Sequence, residues 1–462
     1  MKTLFLPKYL LLPLLFLFCG CHKEKIVSSS ESTPTVSTSV PTNIDISEAT
    51  LGGNITEAGK SAVTARGVCW SESPAPTIDL NTKTINGAGT GSFSVSISGL
   101  KEGNTYHVRA YATNSFGTGY GTEISFKAIS PFSALDKGIV EKMSLFNIPG
   151  LSIAVVRNDK LVHVRSFGYS DKEANKPAAN SDLYRIASVS KPITLVTILK
   201  LVVDGRISLD QKVFGPGSIL GNDFGSIPSG SPIGQITVRH LLDHKSGWTN
   251  YFGDPMFWDN SFTQADLISN LVANRPLEYS PGTTYYYLNF GYCILGRVIE
   301  KITGRSYEEY VKTNILSASG IVDMQIGGNT VNDRLPNEVK YYQRDFDPYS
   351  MNVKRMDAHG GWIATATDLA RFMIANDHNV TPADLIPFSL LSQFYIGERG
   401  WNFYGSLPGT SAIVNKMNDN TCFVVLANTR NERSPNSDLD IINDMILLEL
   451  FHIDNWPTKD FF

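Results

Sequence analysis

Ser188 and Lys191 stand three residues apart at the head of an apolar run. In a helix that spacing places both on one face, one turn apart. A serine hydroxyl is a weak nucleophile until a base takes its proton, and a lysine amine becomes such a base when apolar surroundings disfavour its charge. The N–H groups at a helix start also favour the negative charge that develops on an attacked carbonyl oxygen. The pair fits a plainer role too, a capping serine beside a lysine that reaches out to solvent. His240 and His244, four apart on one helix face, have the spacing of two metal ligands. No Glu follows His240 and no third ligand stands near, so a structural role is expected for both. The cysteines, at 19, 21, 69, 293 and 422, match no zinc spacing. Neither a metal nor a cofactor is expected.

The elements that would hold these residues can be read from apolar periodicity. Tyr184 to Gly205 reads as one long helix, apolar on most faces and therefore central to a domain, with Gly205 at its C-terminal cap. Before it, Ala134–Phe146 has the pattern of an amphipathic helix, and Leu151–Arg157 and Leu161–Gly168 that of a hairpin around Asn158-Asp159. After it, Thr237 caps a short helix, and a turn at Pro281-Gly282 leads to Tyr287 and Asn289. A helix over Cys293–Thr303 is stopped by Gly304, and Gly360-Gly361 leads to a helix capped by Thr367 or Asp368. Gly405 to Lys416 reads as one strand, Thr421–Asn428 as its partner, and Ser437–Phe451 as a last helix. A helix, antiparallel strands and then mostly helices make this part α+β.

The rest of the chain differs in kind. Residues 1–20 have a basic start and an apolar stretch too short to span a bilayer, the pattern of an export signal. Residues 21–35 are polar and Ser/Thr-rich and read as a tether. Residues 36–128 read as short strands between Gly, Asn, Ser and Pro clusters, with Tyr106, Val108, Ala110 and Ala112 alternating against His107, Arg109, Tyr111 and Thr113. Regular spacing of such strands argues an all-β sandwich. Nothing in it suggests catalysis, and His107 is read as a surface strand residue. Residues 129–132 link it to the α+β domain at 133–462. A net charge of −4 gives no basic footprint, so no nucleic-acid partner is expected.

Three resemblances sharpen this reading. Gly20-Cys21 after the apolar stretch resembles a bacterial lipoprotein signal, which implies lipid attachment at Cys21 and an exported, membrane-anchored protein in the periplasm or at the cell surface. Residues 36–128, with Leu100 six positions before Tyr106, resemble a fibronectin type III-like module, a surface suited to cell-wall or glycan contact. Residues 133–455 resemble the serine β-lactamase and penicillin-binding-protein-like family, on its class C and esterase side. The matches are Ser188-x-x-Lys191, His240-Leu-Leu-x-His-x-Ser-Gly247, Pro281-Gly282 with Tyr287-x-Asn289, Gly304, Gly360-Gly361 with Thr365 and Asp368, and Gly405-Ser-Leu-Pro-Gly409.

The family resemblance implies a five-stranded antiparallel sheet beside a helical region, with the site between them. Ser188 would be the nucleophile, Lys191 its activating partner, and Tyr287 a proton-shuttling phenol whose pKa the nearby ammonium lowers. Asn289 would orient Lys191 and bind a substrate amide or ester, while the backbone N–H groups of Ser188 and Ser406 would form an oxyanion hole. One position departs. Where the family carries Lys or His two residues before the glycine that is Gly405 here, this chain has Phe403. The change points away from carboxylate recognition and toward uncharged short-chain esters. Arg371, Arg430 and Arg433 are the cations considered as replacements. The function expected is acyl-enzyme hydrolysis of a small-molecule or peptide ester or amide, with β-lactams among the candidates. The alternative is a catalytically weak binding protein that uses the same pocket, with the sandwich as an adhesion module.

Overall fold

A computed structural model describes residues 33–377, 384–394, 402–430 and 438–462. The signal stretch, Cys21, the tether as far as residue 32, Arg433 and Ser437 lie outside the described residues. The chain divides into two compact units. One comprises the described residues up to Pro41 together with Ser47–Ala128, and the other Thr42–Ile46 together with Ile129–Phe462.

The first unit is built from β1 (Thr35–Thr38), β2 (Glu48–Glu57), β3 (Ala65–Ser71), β4 (Gly91–Ser98), β5 (Thr105–Asn114), β6 (Gly117–Tyr120) and β7 (Ile124–Lys127). One antiparallel sheet has the order β1-β2-β4 and the other β3-β5-β6, with β7 also paired to β5. Ile55 from the first sheet and Ala112 from the second share a core with Val63. The sheets approach so closely that a Cβ on Gly53 would collide with the Ala110 side chain. The alternation in β5 holds at Tyr106, Val108, Ala110 and Ala112, all buried; Tyr111 is buried as well. Tyr106 Oη accepts the Lys101 N–H at 3.0 Å, and His107 Nδ1 lies 2.9 Å from Glu123 Oε1.

The second unit is organised on a sheet that brings the two ends of the domain together. It begins with α1 (Ser133–Phe146), β8 (Gly150–Arg157), β9 (Lys160–Asp171), β10 (Lys176–Pro177) and β11 (Tyr184–Arg185). There follow α2 (Ser190–Val203), α3 (Val238–Leu242), α4 (Gln264–Asn274), α5 (Asn289–Thr303), α6 (Tyr307–Val311), β12 (Gln325–Ile326), β13 (Trp362–Ala364), α7 (Ala366–Ile374) and α8 (Phe388–Leu391). The chain closes with β14 (Asn402–Leu407), β15 (Thr410–Asn418), β16 (Thr421–Ala427) and α9 (Asp438–Phe451). The main sheet is antiparallel in the order β10-β9-β8-β16-β15-β14. It is the five-stranded sheet expected from the resemblance, with the two-residue β10 added at one edge. Strand alternation sorts its faces. Ile153, Val155, Phe423 and Val425 pack with α1 and α9, whereas Ala154, Val156, Val424 and Leu426 face the helical region and α2.

Several local expectations are met. The β8–β9 hairpin turns through Asn158 and Asp159, both at positive φ (50° and 61°), as a tight turn between twisted strands requires. Gly304 ends α5 in the left-handed conformation. Others are corrected. The stretch from Tyr184 to Gly205 is not one helix. Tyr184–Arg185 pair with β13 as β11, a 3-10 turn follows at Ala187–Val189, and the α-helix starts only at Ser190. Gly405 to Lys416 is two strands, because Pro408 and Gly409 (φ 70°) reverse the chain between β14 and β15. The cap of α7 is Thr365, whose Oγ1 accepts the Asp368 N–H at 3.0 Å while Asp368 Oδ2 accepts the Thr365 N–H at 3.2 Å.

Candidate active site

Ser188 lies in the 3-10 turn between β11 and α2, preceded by Ala187 at φ 48°. An L-residue other than Gly, Asn or Asp seldom takes that conformation, and it persists only where packing enforces it. Here the Ala187 side chain is buried against Met356 and Leu407. The tight reversal lifts Ser188 out of the core-facing run and sets it at the mouth of α2.

Lys191 follows one turn later and is 6% exposed. Its Nζ lies 2.7 Å from Asn289 Oδ1, 3.1 Å from the His359 carbonyl oxygen and 3.1 Å from Ser188 Oγ. Burial among apolar neighbours pushes its pKa down to about 7, against the opposing pull of the Asp254 carboxylate. A neutral amine there keeps two N–H bonds, to Asn289 and His359, and leaves its lone pair for the serine proton. Tyr287 Oη donates to Ser188 Oγ at 2.8 Å from another side. The lowered phenol pKa expected from the ammonium is not found. Desolvation raises the Tyr287 pKa to about 12, outweighing the hydrogen bond to Ser188. Lys191 instead faces the tyrosine ring, 4.7 Å from its centroid.

The two histidines part company. His240 completes the capping box of α3, with Nδ1 accepting the Thr237 N–H at 3.3 Å. His244 lies beyond the helix end at φ 56°, so the two no longer share a face. Its Nδ1 accepts the Leu288 N–H at 3.2 Å, and its ring centroid lies 4.7 Å from that of Tyr287. Burial pushes its pKa down to about 3, so it stays a neutral brace behind the tyrosine.

Sequence reading missed two contributors. Asp254 Oδ2 accepts the Asn289 N–H at 2.6 Å, which fixes the start of α5 where Asn289 faces Lys191. Its Oδ1 accepts the Met256 N–H at 3.0 Å, and the pair Asp254-Pro255 was a readable capping signal. His359 acts through its backbone carbonyl, which no residue type announces. Arg355 steadies the loop carrying Asp254, donating to the carbonyls of Met256 at 3.0 Å and Phe262 at 2.9 Å.

The pocket above Ser188 is a cavity of about 500 Å³. Phe403 and Tyr404 of β14 form one wall, with Phe394 beside them. The strand can lie against the serine turn only because residue 405 is glycine; a Cβ there would collide with the Ile186 carbonyl oxygen. Ser406 follows on the same strand and is exposed. Of the proposed replacement cations, Arg371 stacks on the Phe462 ring at 4.8 Å, and neither it nor Arg430 lines the cavity. Among the described residues, the cation that lines it besides Lys191 is Lys245, which sequence reading did not single out.

A family profile described as Beta-lactamase matches residues 135–444. Penicillin-binding protein 4* of Bacillus subtilis (strain 168) is 30% identical over 200 residues, which is 42% of this chain and 40% of that protein. Esterase EstB of Burkholderia gladioli is 28% identical over 219 residues, 44% of this chain and 53% of the esterase. The matched region is thus about half of those relatives' length or less. Among solved structures, the octameric penicillin-binding protein homologue from Pyrococcus abyssi is 25% identical with a TM-score of 0.54, covering 68% of this chain and 76% of its own. The D-amino acid amidase from Ochrobactrum anthropi SV3 shares the fold at 21% identity and a TM-score of 0.57, covering 70% of this chain and 99% of its own.

Proposed function

The chain belongs to the Beta-lactamase family, and from that premise we propose that it is an exported serine hydrolase that cleaves an ester or amide through an acyl-enzyme on Ser188. The observation that carries this reading is the placement of Ser188 Oγ between Lys191 Nζ at 3.1 Å and Tyr287 Oη at 2.8 Å. The neutral amine of Lys191 takes the Ser188 proton as the oxygen attacks the carbonyl carbon. The backbone N–H groups of Ser188 and Ser406 hold the resulting oxyanion. Tyr287 passes its proton to the departing oxygen or nitrogen and regains one from the Lys191 ammonium. Water then attacks the acyl-serine by the reverse proton route, releasing the acid and restoring the hydroxyl. Asn289 holds Lys191 in place and offers its amide to the substrate.

The test is intact-mass analysis after exposure to a fluorophosphonate and, in parallel, to a penicillin. An adduct on Ser188 that vanishes in Ser188→Ala supports the hydrolase. Equal labelling of variant and wild type removes the assignment. No adduct and no turnover with any ester leaves binding without catalysis as the reading of this pocket.

The N-terminal unit is, on this proposal, a fibronectin type III-like module available for cell-wall or glycan contact. Its two packed sheets and the Tyr106 Oη bond to the Lys101 backbone support that reading. Lipidation at Cys21 would anchor the protein to a bacterial membrane, in the periplasm or at the cell surface. Cys21→Ser releasing the protein from the membrane fraction is the result expected, and an unlipidated wild-type protein overturns it.

A further inference from the structure

Resting on that hydrolase reading, we propose that Lys245 forms an anion subsite in the pocket, so that the substrate is amphiphilic. Its carboxylate or equivalent single negative charge meets Lys245, and its apolar part packs against Phe394 and Phe403. This revises the preference for uncharged esters that Phe403 alone suggested.

Lys245 is on a different wall from Phe403, in the turn after α3, and it lines the same cavity as Ser188. Its backbone is held on both sides. The Lys245 N–H donates to the His240 carbonyl at 2.7 Å, and its own carbonyl accepts the Gly282 N–H at 2.8 Å. The residue before it is His244, whose left-handed conformation turns the chain out of the helix and whose ring braces Tyr287. The base of the Lys245 side chain is therefore tied to the element that braces the catalytic tyrosine. Among the described residues, no hydrogen bond or ion pair engages its ammonium.

The neighbouring charges leave that ammonium available. Asp243 is the acid on the same wall, and Arg239, Lys245 and His240 all act on its carboxylate, Arg239 most strongly. Lys191, the other cation lining the cavity among the described residues, is committed to Asn289 and the His359 carbonyl. Phe403 and Tyr404 bring no charge from the strand. A flexible, half-buried lysine over an aromatic floor recognises a carboxylate as a point charge, without the bidentate geometry an arginine would impose.

The experiment compares kcat/KM for two 4-nitrophenyl esters of equal chain length, one ending in a methyl group and one in a carboxylate. It uses wild type, Lys245→Gln and Lys245→Glu. The charged-to-neutral ratio should fall about 10- to 100-fold in Lys245→Gln, mainly through KM, and further in Lys245→Glu. In wild type the ratio should also fall with added salt. A ratio unchanged in both variants overturns the subsite. Calorimetric binding of glutarate to wild type and Lys245→Gln reads the subsite without turnover. Binding lost in the variant supports it even if Ser188 never acylates, which would sink only the hydrolase reading, and equal binding overturns it.

Discussion

The Tyr287 phenol lies 2.8 Å from Ser188 Oγ, closer than the Lys191 amine at 3.1 Å, yet the amine is the group whose proton-accepting form is populated near neutral pH. Burial moves the two groups in opposite directions, the phenol up to about 12 and the ammonium down to about 7. Near neutral pH the tyrosine keeps its proton and the lysine is poised to lose one. In the proposed hydrolase this fits the tyrosine to proton donation and the lysine to proton removal.

Tyr287→Phe should therefore lower kcat by about 10²- to 10⁴-fold, the usual worth of a positioned proton donor. Slow fluorophosphonate labelling of Ser188 should survive, because Lys191 remains. A variant that loses labelling altogether would make the tyrosine the base.

The pH profile follows from Lys191. Its folded pKa of about 7 means the base is protonated and inactive below that value, so kcat/KM should rise about tenfold per unit toward pH 7 and level off above it. Lys191→Arg should show no such limb, since a guanidinium keeps its proton. The same shift links to stability. Between about 7 and the ordinary 10.5, the folded chain holds fewer protons at this site than the unfolded chain, so this residue's contribution to stability increases with pH across that window. A limb that stays in place in Lys191→Arg would assign it to another group.

Asp254→Asn tests what holds the lysine's charge. The carboxylate opposes the fall in the Lys191 pKa, so neutralising it should move the acid limb to lower pH. Asn keeps an acceptor for the Asn289 N–H, which separates the charge effect from loss of the bond. A shift to higher pH contradicts this assignment.

How far the site could be read from the sequence depends on the range of the interaction. Ser188, Lys191, Tyr287 and Asn289 are brought into contact, a grouping the sequence could suggest because each motif is local. The tyrosine's pKa was misjudged because it depends on the packing around the phenol, which spacing does not encode. Asp254 and His359 were missed because both reach the lysine from distant segments, and His359 does so through a backbone atom. Pro408-Gly409 was a visible turn signal, but apolar residues on both sides made one strand of it. The helix start was placed too early because the left-handed Ala187 leaves no compositional trace; alanine is a good helix former.

Thr365→Ala should cost about 1 kcal/mol of stability by removing the cap of α7, read as a lower urea midpoint with an unchanged slope. Thr365→Ser should restore most of it. No difference between the two variants would mean that water satisfies the Asp368 N–H equally well.

The pairing of β8 with β16, Leu151 opposite Ala427, has a consequence for the order of events during synthesis. The serine and its lysine leave the ribosome well before β14 to β16, which complete the sheet and wall the pocket. Until those last strands appear, β8 has one open edge, and apolar β-branched edges of that kind invite pairing with other chains. A chain stalled after α7 would carry Ser188 and Lys191 without the strand that walls their cavity, and with β8 open to pairing with other chains. Pairing partners as far apart in sequence as Leu151 and Ala427 also make this a slow-folding topology, so the open edge of β8 persists until the last strands are in place.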